Sequence, residues 1–357
     1  MKTAAHQPSA FAVTIKNVLQ KTKKWFKQFN CEHNMNEAGY KQLKRKPILY
    51  VKNLTKHYFG RKAPAINNIS FNVYPGEFHA FIGANGAGKT TTIKCLIGAY
   101  YKWNGTVLIN GIKNSAEAAK QKLGYIPETA RFPEKFSAYN YLLWMVMLSG
   151  IKREEAKAIV EEKLKSFNMW NLRKKSPNSF SSGQKKKILL AQALVHNPDI
   201  IIMDEPVANL DPKARADFFS VLNDLKKQGK AIFISSHVLP ELDAYFDSAT
   251  ILDGGKIVFS GSKAELEKKF NRPNYTIISD HDQKIIKYFT QNKLKYIVEP
   301  ILKQIIFYPK DKNEIKQLQI FALKNNIFFD NFVKNAPTLD DVYRKLVIKG
   351  SVDTGKT

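Results

Sequence analysis

Apolar and polar positions alternate in several distinct ways along the chain. Between residues 48 and 83 the runs ILYVKNL, SFNVY and EFHAFI are short, apolar-rich and bounded by turn-forming residues, so they predict strands. EFHAFI leads directly into a glycine-rich turn, and the spacing beyond it predicts a helix from about Lys89 to Tyr100. Farther on, DIIIMDE and KAIFISSH are continuous apolar runs, the pattern of strands buried on both faces of a helix-covered sheet, and residues 212–229 between them read as a helix. Strand, helix, strand in that order implies right-handed crossovers and a mostly parallel α/β core behind a β-rich N-terminal part. Residues 138–171 read as strongly helical and interrupt that core, which predicts an inserted helical subdomain at about residues 130–190.

After about Ser262 the texture changes. YTIIS, a helix from Asp282 to Asn292, KYIVE, IIFYP, a helix from Lys312 to Asn325, and IFFDNFV give the order βαββαβ, a ferredoxin-like arrangement for a small α+β domain over 263–357. Residues 1–47 stand apart as a basic extension, with ten Lys or Arg against Glu32 and Glu37. Phe11, Ile15, Val18, Trp25 and Phe29 recur there at helical spacing, and Lys16, Lys21, Lys23, Lys24 and Lys27 fall mostly off that line. The pattern is that of a basic amphipathic helix, suited to docking on protein, to lying on an anionic membrane surface, or to a calmodulin-type partner. The chain therefore divides at 1–47, 48–262 and 263–357.

Composition changes the picture mainly through charge. Apolar residues make up 44% and charged residues 25%, ordinary for a folded protein, but 57 Lys and Arg against 31 Asp and Glu leave a net charge of +26. That excess attracts nucleic acid, nucleotides or anionic lipid without choosing among them. Cys31 and Cys95 are too few for a disulfide framework, which favours a reducing cytoplasmic setting. The uncharged run from Phe136 to Ile151 carries Ser137, Asn140 and Ser149 and falls short of the roughly 20 apolar residues of a bilayer span, so no transmembrane helix is expected. The N-terminus lacks the apolar centre of a secretory signal.

Two motifs carry chemistry. Gly83-Ala84-Asn85-Gly86-Ala87-Gly88-Lys89-Thr90 fits G-x-x-x-x-G-K-[ST] between a strand and a helix, the context of a P-loop NTPase. Glycines at 83, 86 and 88 let backbone N–H groups approach a polyphosphate, together with Asn85 and Thr91. The helix N-terminus adds positive charge, Lys89 reaches the β and γ phosphates, and the Thr90 hydroxyl can ligate Mg²⁺. Ile200-Ile201-Ile202-Met203-Asp204-Glu205 is an apolar strand ending in two carboxylates, and in a parallel sheet that end shares an edge with the phosphate loop. Asp204 can hold Mg²⁺ there, and Glu205 can polarise an attacking water.

Phe180-Ser181-Ser182-Gly183-Gln184 resembles the LSGGQ signature of the nucleotide-binding subunits of ABC transporters, with Phe180 and Ser182 departing from Leu and Gly. Phosphate loop, signature and acidic strand follow one another in that family's order, and the resemblance extends over about residues 48–262. It implies ATP with Mg²⁺ as ligands and a homodimer or heterodimer in which Ser181, Gly183 and Gln184 of one subunit close on the γ-phosphate bound by the other. Tyr58 matches the aromatic that stacks on adenine. Glu128, where many members have Gln, can still ligate Mg²⁺. Ala208-Asn209-Leu210-Asp211 resembles the loop that crosses the dimer interface, with Asp211 its informative position. His237 matches the family's switch histidine, which contacts the γ-phosphate and fixes the catalytic water and Glu205.

The tail Pro337-Thr338-Leu339-Asp340-Asp341-Val342-Tyr343 resembles the ending of ABC-2-type, bacitracin- or drug-export-like ATPases. Together the resemblance implies an ATP-hydrolysing subunit, peripheral on the inner face of the cell membrane, that drives a separate integral membrane permease in export. The alternative is a soluble ABC ATPase acting on ribosomes or nucleic acid, which the net charge of +26 makes worth carrying. A single cassette without zinc modules or long coiled coils speaks against it, so nucleic acid is not an expected partner. A P-loop GTPase or small-molecule kinase would leave the signature unexplained, and no NKxD string is present.

Overall fold

The computed structural model describes residues 46–343, apart from 130, 238, 271–273, 301 and 336–338, together with residue 346. The amphipathic pattern of residues 11–29, Cys31, and Pro337 and Thr338 of the tail lie outside the described residues. Two compact units divide between Ser260 and Gly261.

The first unit begins with β1 (Leu49–Lys56), β2 (Ile66–Val73) and β3 (Phe78–Gly83), then α1 (Lys89–Leu96), β4 (Asn104–Ile109), β5 (Ile112–Lys113), α2 (Glu117–Lys120) and β6 (Leu123–Ile126). The inserted helices follow as α3 (Ala138–Leu148), α4 (Arg153–Ser166) and α5 (Ser182–Leu194). The unit closes with β7 (Ile200–Asp204), α6 (Pro212–Lys227), β8 (Ala231–Ser236), β9 (Ser248–Asp253) and β10 (Lys256–Ser262), whose last two residues already fall in the second unit. Four strands make an antiparallel sheet in the order β2-β1-β4-β5, with Leu49 of β1 facing Val73 and Ile109 in register. Six strands make a second sheet, β10-β9-β3-β8-β7-β6, in which β6, β7, β8, β3 and β9 run parallel. β9 and β10 form a hairpin on Gly254 and Gly255, both at positive φ (50° and 77°), the backbone a two-residue turn between twisted strands requires.

The apolar runs explain this arrangement. Every residue of β3, β7 and β8 is buried, as strands sandwiched between layers must be. Side chains from both sheets and α1 meet in one core, where Phe81 lies 5.5 Å from Phe71 and 5.1 Å from Phe233 between ring centroids. α1 stops at Leu96, earlier than the apolar spacing to Tyr100 predicts. Gly98, at φ 75°, donates to the Cys95 carbonyl while Ala99 N–H donates to that of Lys94, a left-handed cap that ends the helix. In the insertion, Gly150 at φ 86° separates α3 from α4, and Ala156, Val160 and Leu164 give α4 its buried stripe.

The parallel register decides where chemistry can sit. Ile82 is level with Ser236, Asp204 with Ser235, and Gly83 with Leu252, so the chain leaves β3, β7 and β8 along one edge.

The second unit contains α7 (Lys263–Phe270), β11 (Asn274–Ile278), α8 (Asp282–Gln291), β12 (Tyr296–Glu299), β13 (Gln304–Phe307), α9 (Lys312–Lys324), β14 (Asn331–Asn335) and α10 (Leu339–Tyr343). Its antiparallel sheet has the order β12-β13-β11-β14, the ferredoxin-like topology, over a core of Ile277, Ile285, Phe289, Ile305, Phe307 and Leu318. The run IFFDNFV becomes a strand only from Asn331, the position paired with Ile278. Ile327 turns into the core instead, and Phe328 is exposed. Among the described residues, no helix is long and apolar enough to cross a membrane.

Candidate functional site

The glycine-rich turn leaves β3 at Gly83 and enters α1 at Gly88. Gly88 has φ 107°, and a Cβ there would lie 2.8 Å from the Ala65 carbonyl oxygen, so only glycine fits both the backbone and the space. Gly88 caps α1 without a side-chain hydrogen bond, and the first turn holds no acidic residue, which leaves the helix N-terminus suited to an anion. Gly83 is tied by a different constraint. Its Cβ would stand 2.7 Å from the Leu252 carbonyl oxygen.

Lys89, the first residue of α1, is buried and turns back over the loop. Its Nζ donates to the carbonyls of Gly83 at 2.8 Å and Ala84 at 3.3 Å, and lies 3.3 Å from Glu205 Oε1. Glu205 Oε2 is 2.9 Å from His237 Nδ1, a bond in which the Nδ1–H tautomer donates to the carboxylate. Lysine, carboxylate and imidazole thus converge from the ends of β3, β7 and β8.

Glu205 adopts φ 43°, a left-handed conformation that residues other than Gly, Asn and Asp seldom take. Ser235 holds it there: its buried hydroxyl accepts from Glu205 N–H at 3.0 Å and donates to Asp204 Oδ1 at 2.7 Å. Asp204 is buried, and its carboxylate reaches neighbouring groups electrostatically. Together with Glu128 it opposes the downward shift of Lys186, which burial lowers to about 8, and adds to the burial that pushes Tyr125 up to about 12.

A cavity of about 730 Å³ opens over these groups. Tyr58, Asn85, Gly86, Gly88, Lys89, Thr90, Thr91, Glu128, Glu205 and His237 line it, so most residues singled out in the sequence share one space. Gly83 and Asp204, both buried, are not among the lining residues. Ser181, Gly183, Gln184 and Asp211 are not among the lining residues. Ser181 and Gln184 form a reciprocal capping box at the start of α5, and Asp211 caps α6 by accepting from Ala214 N–H at 2.8 Å.

Several lining or supporting residues escaped the sequence reading. Arg61 and Lys62 follow Tyr58 and bring positive charge to the cavity, a basic pair beside an aromatic that was visible in the sequence. Gly254 and Gly255 also line it. Tyr100 meets Tyr58 edge to face at 5.9 Å and accepts its hydroxyl hydrogen bond at 3.2 Å, while Tyr58 Oη lies 3.1 Å from Thr91 Oγ1. Nothing local marked Ser235 or Tyr100.

A phosphate loop, a buried lysine and a carboxylate–imidazole pair on one sheet edge invite comparison with known proteins. Residues 66–208 match the family described as ABC transporter. An ABC transporter ATP-binding protein of Mycoplasma pneumoniae is 39% identical over 303 residues, 84% of this chain and 92% of that one. The chain belongs to the ABC transporter ATP-binding proteins. The EcsA ABC-type transporter ATP-binding protein of Bacillus subtilis is 33% identical over 62% of this chain and 90% of its own. Among solved structures, an ATP-binding subunit of an ABC transporter superposes with a TM-score of 0.57 at 31% identity, covering 62% of this chain and 93% of that one. The ADP conformation of an ABC transporter's ATP-binding cassette gives 0.54 at 26% identity, over 62% and 92%.

ABC ATP-binding domains bind ATP, generally with Mg²⁺, and generally hydrolyse it. The residues here fit that ion: the Thr90 hydroxyl and the Glu128 and Asp204 carboxylates offer the hard oxygen donors that Mg²⁺ takes. Among the described residues no group of three or more His, Cys, Asp or Glu could hold a metal by itself.

Proposed function

We propose that this ABC ATP-binding subunit hydrolyses ATP and transmits the cycle to a separate membrane permease working in export. The observation that carries the reading is the convergence of Lys89, Glu205 and His237 at the edge where β3, β7 and β8 end. Loop N–H groups and the α1 terminus receive the phosphates, Lys89 offsets their charge, and Tyr58 offers its ring to adenine with Arg61 and Lys62 beside it. Glu205 takes the proton of the attacking water. His237 holds the carboxylate through Oε2 and faces the γ-phosphate. Mg²⁺, held by Thr90, Asp204 and Glu128, would neutralise charge developing between the β and γ phosphates.

Ser181, Gly183, Gln184 and Asp211 act in trans in this reading, completing the site of a second subunit in a homodimer or heterodimer. Their position outside this chain's own cavity lining supports that role. The helical insertion faces the permease. Trp144, stacked on Phe136 at 6.4 Å, and Leu148 are exposed there and suit an apolar contact. Export and an inner-membrane-face location follow from the likeness of the tail, the basic residues 1–47 add attraction to anionic lipid, and the domain from residue 263 onward is assigned to regulation or dimerisation.

Glu205→Gln tests the reading. It removes the base but little volume, so ATP binding by calorimetry should persist while turnover falls on the order of 10²-fold or more. Hydrolysis at the parental rate would remove Glu205 from the mechanism.

A further inference from the structure

Lys186 lies in the second turn of α5, and only 5% of its surface is exposed. A buried ammonium is costly unless its hydrogens are used, and here Nζ donates to the carbonyls of Glu128 at 2.7 Å and Pro127 at 3.3 Å, both just beyond the end of β6. The side chain therefore spans from the helix that opens with Ser181 and Gln184 to the backbone that carries a carboxylate into the nucleotide cavity. Pro127 has no N–H of its own, which leaves this short segment with fewer backbone bonds to fix it.

We propose that Lys186 is a positioning residue that fixes the Glu128 carboxylate for the Mg²⁺–nucleotide complex by pinning residues 127–128 to α5 of the same subunit. The proposal rests on the ATP site described above. Lys186 touches neither nucleotide nor metal in this arrangement. It acts through the main chain of Glu128, and it makes the start of α5 and the metal-binding wall of the cavity move as one piece.

The test is ATP binding to the full chain by calorimetry, in Mg²⁺ and in EDTA. Parental protein should bind more tightly with Mg²⁺. Lys186→Met should keep its EDTA affinity, which also reports that the fold is intact, and lose about tenfold of the gain from Mg²⁺, the usual scale for a group that orients a metal ligand. Lys186→Arg should recover most of the gain, because a guanidinium can donate to the same carbonyls. In a Glu128→Ala background Lys186→Met should change nothing further, and Lys186→Gln in that background supplies the same comparison should the methionine variant not fold. An undiminished Mg²⁺ gain in Lys186→Met would overturn the proposal, as would an equal loss with Glu128 absent. Parental protein that binds no ATP would instead bring down the nucleotide reading itself.

Discussion

Replacing Ser235 with alanine removes one oxygen atom from a fully buried position, and the structure sets the size of the effect. That oxygen donates to Asp204 Oδ1 at 2.7 Å and accepts from Glu205 N–H at 3.0 Å. A hydrogen bond to a charged group contributes about 1.5–3 kcal/mol and a buried N–H left without an acceptor costs about 1–3 kcal/mol. Partial relaxation makes the two less than additive, so the expected destabilisation is about 2–4 kcal/mol. Glu205, at φ 43°, also loses the contact that holds it in a conformation costing about 1–2 kcal/mol, and its carboxylate should leave the position between Lys89 and His237. Urea unfolding followed by tryptophan fluorescence suits the measurement, because Trp103, Trp144 and Trp170 all lie in the first unit. The midpoint should fall at unchanged slope, and ATP turnover should fall with it. A loss below about 0.5 kcal/mol, against the range expected for a buried polar deletion, would show that the hydroxyl does not organise Asp204 and Glu205 as argued.

Two further outcomes follow from buried groups. Gly88→Ala should cost at least about 1–3 kcal/mol, since its φ of 107° and a Cβ placed 2.8 Å from a backbone oxygen leave no relaxed alternative, and ATP affinity should drop with it; unchanged thermal stability would contradict that geometry. His79, packed against both Phe71 and Phe233 in a three-ring cluster and bonded to Ser248 and Thr250, is held neutral, with burial lowering its pKa to about 3. The unfolded chain binds that proton first, so the stability His79 contributes is complete above pH 6.5. It is lost as pH falls from 6.5 toward 3, at up to about 1.4 kcal/mol per pH unit. His79→Gln should flatten the dependence of unfolding free energy on pH between 4 and 6, and an unaltered slope would show that the imidazole is not the group responsible.

Much of the fold was legible because its central strands are extreme. DIIIMDE and KAIFISSH are short continuous apolar runs with the pattern of doubly covered strands, and the glycine-rich turn identifies the strand before it and the helix after it from local residues alone. β4 and β6 were not legible for the opposite reason: NGTVLI opens on Asn and Gly, LGYI is four residues long, and both become strands through partners distant in sequence. The end of α1 shows a local signal outvoted, since Gly98 marked it but the apolar residues beyond suggested continuation. At the site, contiguous motifs could be read as units, whereas Ser235 earns its place through the parallel register that sets it level with Asp204. Register is a property of the assembled sheet.

The lysines at 185, 186 and 187 carry this furthest. Chemically identical and adjacent, they look like a solvated run on a helix, and charge counting treats them alike. A helix turns about 100° per residue, however, so they point in three directions, and only Lys186 is fully buried. Its own periodicity announced this: Leu189 and Leu190, three and four residues on, and Ala193, seven residues on, are all buried, which places Lys186 on the apolar stripe of α5. A charged residue on such a stripe needs partners, and the partners here, the carbonyls of Pro127 and Glu128, come from the opposite side of the insertion in sequence. The sequence could therefore pose the question of what satisfies this lysine. Only the fold, by bringing the end of β6 against α5, supplies an answer, and that answer joins the two segments on which nucleotide and metal binding depend.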